Sequence, residues 1–409
     1  MKIALLGYGK EGQATEKYFK DHFKDSEIDV FENFTYEEIK QKDFSSYNYV
    51  FRSPSVQPLG LNNETSATRY FFDHCPCPII GVTATKGKGT TCSFIKALLD
   101  ALDEKSFLVG NIGSPAIDVL DELDSDSVVI YEMSSFQLWD LKKSPKVAIV
   151  GQLEPDHLNV HKDYEDYLNA KANITRYQTE DDYLVYYENN QEAIKIAGTS
   201  NAKKIPYPFE IPEEIESAIK LPGRHNQENA IAAMAAVACY KNISPDEYLS
   251  NYKTQIIEGL NNFKGLPHRL EYLRELNGVK YYDDNFSTNP SSTRVAINAF
   301  PDEKLVAIVG GRDKTNNEDL PEIYEILNVP QVKKIVLIGE SGHELAKKYN
   351  DNRFIVVESL KEAIEAAKEE AEKISPSIVV MSPSAASFDM FNNVYDRGSQ
   401  FKNLISSLN

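Results

Sequence analysis

No stretch of this sequence approaches the run of about 18 apolar residues that a membrane-crossing helix needs, so no membrane insertion is expected. The amino-terminal MKIALLGYGKEG has too short an apolar run before its glycines to act as a secretory signal. Cysteine is scarce. Cys75, Cys77, Cys92 and Cys239 have neither the spacing of a zinc site nor the density of a disulfide scaffold, so reduced thiols and a cytoplasmic location are expected. Basic residues are in deficit, 44 Lys and Arg against 62 Asp and Glu, and the net charge of -18 disfavours a nucleic-acid surface. A chain this acidic that handles anionic substrates must gather its positive charge locally. Internal repeats, low-complexity tracts, a G-x-S-x-G elbow and a Cys–His signature are also missing, so no covalent nucleophile is called for.

What is present is an ordinary globular composition, 42% apolar and 26% charged, in a chain too long at 409 residues for one hydrophobic core. Two or three domains are expected, and three α/β units can be counted. KIALLGYG reads as a strand running into an amphipathic helix through Tyr18 and Phe19, and YNYVFRSPSV as a later strand ending in a proline turn. CPCPIIGVTATKGKG starts a second strand, loop and helix, which places the first boundary near residue 78. SVVIYE and KVAIVGQLEPDH read as two more buried strands ending in polar residues, the ends at which open α/β sheets hold ligands. After the turn in FKGLPHRLE, the strands KYYDDNF, KLVAIVGG, KKIVLIG and SIVVMSP alternate with helical patterns. Among these LKEAIEAAKEEAEK keeps an apolar stripe through Leu360, Ile364, Ala367 and Ala371. The expected domains are 1–78, 79–265 and 266–409.

Gly7, Gly9 and Gly12 form G-x-G-x-x-G directly after a strand, a pattern that lets a backbone approach a pyrophosphate at a helix N-terminus. Glu32 ends the strand-like IDVFE about twenty residues on, where an acid can bond ribose hydroxyls. A tight structural turn is the plain alternative, and these glycines do not distinguish NAD from a uridine nucleotide. GVTATKGKGTT is more specific. Its Gly87-Lys88 follows an apolar strand, as in a P-loop, but Gly89 stands where the magnesium-binding hydroxyl belongs. If the helix begins one residue later than usual, Thr90 supplies that hydroxyl, with Thr91 beyond it; a Gly/Thr-rich turn is the alternative. Lys88 would reach the β/γ-phosphates of ATP. Glu132 closes its strand as a Walker-B-like acid for Mg2+, and His157 ends the next strand, so three strand ends converge on one sheet edge.

In order along the chain, GVTATKGKGTT, GNIGSPA, YEMSSFQL, PDHLNVH, LPGRHNQENAIAA, GLPHRLE, DDNFSTNPSST, GGRDK and SPSAASFD resemble the motifs of the Mur ligases, over almost the whole length. The P-loop is also similar to that of the folylpolyglutamate synthases. The resemblance implies a Rossmann-like N-terminal domain for a UDP-linked muramoyl precursor (1–78), a central P-loop ATPase domain with a mainly parallel sheet (79–265) and a C-terminal Rossmann-like, amino-acid-binding domain (266–409). It implies an ATP-dependent amide ligase of peptidoglycan precursor synthesis, with small-molecule substrates, a monomeric state and D-glutamate as the incoming amino acid. By resemblance Gly87, Lys88, Gly89, Thr90 and Thr91 hold ATP phosphates, and Thr90, Glu132, His157 and a carbamylated Lys171 hold magnesium. Without the resemblance Lys171 reads as one more helix-surface lysine. Asn229, Arg269 and Asp284 match positions that grip the rest of ATP; Lys10, Glu11, Glu32, Ser53, Pro54 and Asn111 match the uridine-nucleotide side; Thr288, Lys314 and Ser387 match the acceptor pocket.

The main departure is Phe286, where D-glutamate ligases of this family commonly carry a lysine; losing such a partner costs about 1.5–3 kcal/mol unless Arg312 or Lys314 compensates. Val394, Ala84, Gly89 and Gln152 depart as well. Rival readings are a folate polyglutamylating ligase, a nicotinamide dehydrogenase built on the first glycines, and a nucleotide-binding protein that has lost catalysis.

Overall fold

A computed structural model describes residues 1–409, which build three sheets. The first joins β1 (Lys2–Leu6), β2 (Glu27–Phe31), β3 (Tyr49–Arg52) and β4 (Glu64–Ser66) in the order β2-β1-β3-β4, all parallel. The second joins β5 (Ile79–Thr83), β6 (Lys105–Gly110), β7 (Ser127–Glu132), β8 (Val147–Val150), β9 (Tyr183–Tyr187) and β10 (Lys203–Tyr207). Its order is β10-β9-β8-β5-β7-β6, again all parallel. Every residue of β5, β7 and β8 is buried, which is why these strands read as mainly apolar runs.

The third sheet holds β11 (Glu271–Leu276), β12 (Val279–Asp283), β13 (Leu305–Gly310), β14 (Val332–Ile338), β15 (Phe354–Val356) and β16 (Ser377–Met381). Its order is β11-β12-β16-β13-β14-β15, with only the β11/β12 pair antiparallel. Alternate residues of β13 feed two cores. Leu305, Ala307 and Val309 join one cluster, while Val306 and Ile308 join another with Ala363 and Ala367 of the helix Leu360–Lys373. The stripe Leu360, Ile364, Ala367 and Ala371 is buried as its spacing demands.

The chain divides into two compact units, 1–219 with 228–263, and 220–227 with 264–409. The first unit carries two sheets over one continuous core, in which Leu5 and Phe51 belong to the same cluster as Ile79, Val129 and Ala148. Two expectations need correction. β8 stops at Val150, so His157 lies in the following loop and not at a strand end; its φ of 55° marks a tight turn there. Lys171 is no surface lysine, being only 2% exposed on the helix Tyr164–Arg176.

Candidate active site

β5 delivers the glycine-rich loop, and the helix Lys88–Asp100 follows with Gly87 as its N-cap. Gly87 has φ 83°, and a Cβ there would stand 2.6 Å from Asn229 Oδ1, so both conformation and space require glycine. The helix does not start one residue late, because the left-handed turn at Gly87 lets it begin on the lysine itself. Gly89 and Thr90 are its second and third residues, and the hydroxyl is displaced along the helix. Lys88 Nζ donates to the carbonyls of Ala84 (2.9 Å) and Thr85 (3.0 Å). The Thr91 hydroxyl lies 3.0 Å from Gly87 O and 3.2 Å from Asn229 Oδ1. Thr85 Oγ1 accepts from Glu154 N at 2.9 Å and lies 2.8 Å from Tyr167 OH, so the loop is laced to the segment after β8.

Glu132, 8% exposed, is the last residue of β7 and pairs in register with Val82 of β5. Lys171 Nζ donates to Thr83 Oγ1 (3.1 Å) and Ala84 O (2.9 Å), directly beneath the loop. Burial, reinforced by the charge of Lys88, holds its amine well below the usual lysine range, against the opposing pull of Asp156 and Glu132. Two of the three converging ends, those of β5 and β7, thus meet as expected. His157 comes from the loop beyond β8, half-exposed, with its ring 5.0 Å from that of Phe136. Glu132, Asp156 and the Thr90 hydroxyl are hard oxygen donors of the kind that suits Mg2+.

The sequence reading missed His161. It is buried, with Nδ1 2.8 Å from Asp166 Oδ2 and Nε2 2.9 Å from Ser135 Oγ, and its backbone N–H closes the turn onto His157 O at 3.0 Å. The four-residue spacing of the two histidines in HLNVH was the available signal.

At the carboxyl ends of β1 to β3 a cavity of about 570 Å³ is lined by Gly7, Glu32, Asn33, Tyr36, Val56 and Asn159, among others. Gly7 has φ 86°, and a Cβ on it would collide with Ser53 Oγ; a Cβ on Gly12 would come within 2.7 Å of Gly7 O. Glu32 therefore shares a cavity with the first glycine, whereas Lys10 is exposed on the first helical turn. Pro54 and Ser53 follow β3, and Asn111 follows β6 with its N–H 3.3 Å from Glu132 O. Glu11 turns inward: Gln137 Nε2 donates to its Oε1 at 2.7 Å while Oε2 is buried without a partner, and burial raises its pKa. The neighbouring Arg52 was also missed. Its buried guanidinium donates to Val56 O (2.9 Å) and Asp140 Oδ1 (2.5 Å), with Glu64 at 3.8 Å, and so binds the first sheet to the second.

In the second unit Lys314 Nζ donates to Thr288 O at 2.7 Å, uniting two residues of the expected acceptor pocket, and Ser387 is buried. Arg312 is paired with Glu340 at 3.2 Å. Phe286 packs edge-on against Tyr395, centroids 5.2 Å apart, and the Arg269 guanidinium lies 5.3 Å over its ring. The Asp284 carboxyl faces into the unit, accepting from Leu270 N (3.1 Å) and Ser382 Oγ (2.8 Å); burial pushes its pKa up to about 7. Nearby, Arg397 is fully buried and donates to Asn285 Oδ1 at 2.8 Å and to the carbonyls of Ala385 and Ala386 at 3.2 Å.

Residues 82–216 match the family model of the Mur ligase middle domain, and residues 268–385 that of the Mur ligase, glutamate ligase domain. The chain is 31% identical over 402 residues to the UDP-N-acetylmuramoylalanine–D-glutamate ligase of Clostridium botulinum (strain Kyoto / Type A2), covering 88% of this chain and 83% of that protein. It is 32% identical over 407 residues to the same-named ligase of Clostridium kluyveri, covering 90% and 84%. Among solved structures it shares its fold with the MurF ligase of Thermotoga maritima in complex with ADP (TM-score 0.58, 16% identity, 88% and 89% covered). The MurC ligase of the same organism is similar (TM-score 0.59, 16% identity, 100% and 99% covered). With the glycine loop, Glu132 and buried Lys171 on one sheet edge, and relatives at 31% identity matched over 88% of its length, the chain belongs to the Mur ligase family.

Proposed function

We propose that this enzyme joins D-glutamate to UDP-N-acetylmuramoyl-L-alanine in an ATP-driven step of peptidoglycan precursor synthesis in the cytoplasm, acting as a monomer. The observation that carries the reading is the meeting of Lys88, Glu132 and the buried Lys171 at the ends of β5 and β7. The precursor's carboxylate attacks the γ-phosphate of ATP to give an acyl phosphate; the amine of the amino acid then displaces phosphate through a tetrahedral intermediate. No side-chain nucleophile takes part. Lys88 leaves its loop carbonyls for the phosphate oxygens and so keeps its hydrogen bonds while the charge develops. The loop from Gly87 to Thr91, with Asn229 beside Gly87, positions the nucleotide.

A magnesium ion, when bound, supplies positive charge against triphosphate and carboxylate; Thr90, Glu132, His157 and a carbamylated Lys171 are the residues that would hold it. A buried amine whose pKa is lowered by desolvation supports that modification. Its lone pair attacks CO₂, a carbon–nitrogen bond forms, and loss of one proton leaves a carboxylate-like group. Residues 1–78, with Lys10, Glu11, Glu32, Ser53, Pro54 and Asn111, receive the uridine nucleotide. Residues 79–265 receive ATP, and 266–409, with Thr288, Lys314 and Ser387, the amino acid.

The deciding experiment measures phosphate release with UDP-N-acetylmuramoyl-L-alanine against a panel of D- and L-amino acids. Release with D-glutamate alone is expected. Release with another amino acid would transfer the acceptor assignment, an outcome for which Phe286 gives a reason, and product formed without ATP consumption would overturn the mechanism.

A further inference from the structure

Cys75 and Cys77, in Cys-Pro-Cys-Pro, directly follow the helix Ala67–His74 and precede β5, the strand that carries the glycine loop. Their sulfur atoms lie 3.6 Å apart, and Cys75 Sγ is 3.5 Å from Cys77 O. Both are half-buried against the rim of the core under the first two sheets, whereas Cys92 and Cys239 are buried. Pro76 and Pro78 fix φ on either side of Cys77, which restricts the ways in which the two thiols can separate. A disulfide needs sulfurs about 2.05 Å apart, so a closure of about 1.6 Å from the observed 3.6 Å would join them.

We propose that Cys75 and Cys77 form a redox-active dithiol that low-molecular-weight disulfides oxidise reversibly. This site is independent of the ligase chemistry. Hydrogen bonding with the Cys77 thiol lowers the pKa of Cys75, while the same contact and burial raise that of Cys77, so Cys75 is the attacking sulfur. The Cys75 thiolate attacks one sulfur of the small disulfide, a mixed disulfide forms and the first small thiolate leaves. Cys77, giving up its proton, then attacks Cys75 Sγ and expels the second. Two protein thiols and one disulfide become one protein disulfide and two small thiols, with two electrons passing to the reagent and both protons ending on the released thiols.

The test incubates the full chain with oxidised glutathione at neutral pH, then alkylates the native protein and maps it by mass spectrometry. Cys75 and Cys77 are expected to become linked to each other and to be freed by dithiothreitol, with Cys92 and Cys239 still reduced. Cys77→Ser should accumulate glutathione on Cys75 as a stable mixed disulfide, because no second thiol is left to expel it. The proposal is overturned if both thiols remain alkylatable under glutathione disulfide that oxidises a control dithiol. Persistence of the mixed disulfide on the unaltered chain would overturn it equally, since it would show that Cys77 does not resolve it.

Discussion

Replacing Lys171 by alanine removes the one amine buried beneath the glycine loop. Turnover of Lys171→Ala, read as phosphate release, is expected to fall by at least about two orders of magnitude and to recover in part when a small carboxylate such as formate is added. Full turnover without additive would remove the amine from the chemistry. Residue spacing alone could have flagged Lys171. It shares the stripe Tyr167, Ala170, Lys171 and Ile174, the buried face of its helix, and a lysine on such a face is expected either to be solvated through its long stem or to serve a purpose. Only the folded chain tells which. Asp284 gives a second residue-scale prediction. Its folded pKa of about 7 lies above the ordinary carboxyl value of about 3.9, so the unfolded chain loses this proton more readily. The group's contribution is intact below pH ~4, and stability falls as pH rises from there to ~7. Urea midpoints at pH 5 and pH 8 should differ less in Asp284→Asn than in the unaltered chain.

Within elements, the glycine loop depends on one backbone conformation. Gly87→Ala places a side chain at φ 83° and against Asn229, and should cost about 1–3 kcal/mol by urea unfolding while weakening ATP binding in calorimetry. The buried Arg52 is a second such point. Arg52→Met strands the Asp140 carboxylate away from its partner and is expected to destabilise the first unit by about 3–5 kcal/mol, read from its unfolding midpoint. The parallel strands β5, β7 and β8 were legible because each is a buried, mainly apolar run. The loop after β8 was not. Its place depends on His161, Asp166 and Ser135, which come from separate stretches and meet only through tertiary packing. Arg52 and Arg397 escaped notice for the same reason: a buried cation satisfied by carbonyls and distant acids leaves no period in the sequence.

For the molecule as a whole, the net charge of -18 would oppose the approach of ATP and of the proposed nucleotide-linked precursor, both anionic. Raising monovalent salt from about 0.01 M to 0.15 M shortens the Debye length from about 30 Å to 8 Å, and KM for the precursor should fall while kcat stays level. A KM that rises with salt would instead point to local positive charge as the dominant steering field. The three α/β blocks counted in the sequence each carry one of the three sheets, and the first two pack over one core, in which Leu5 and Phe51 join Val129 and Ala148. The Arg52 link sharpens this. A fragment beginning at Ile79 would keep the glycine loop but strip Phe71 and Thr68 from Tyr131 and hand the Asp140 carboxylate to water. The block that carries the glycine loop is thus no detachable cartridge, and shortening the chain from its start should produce insoluble material before it produces an idle enzyme.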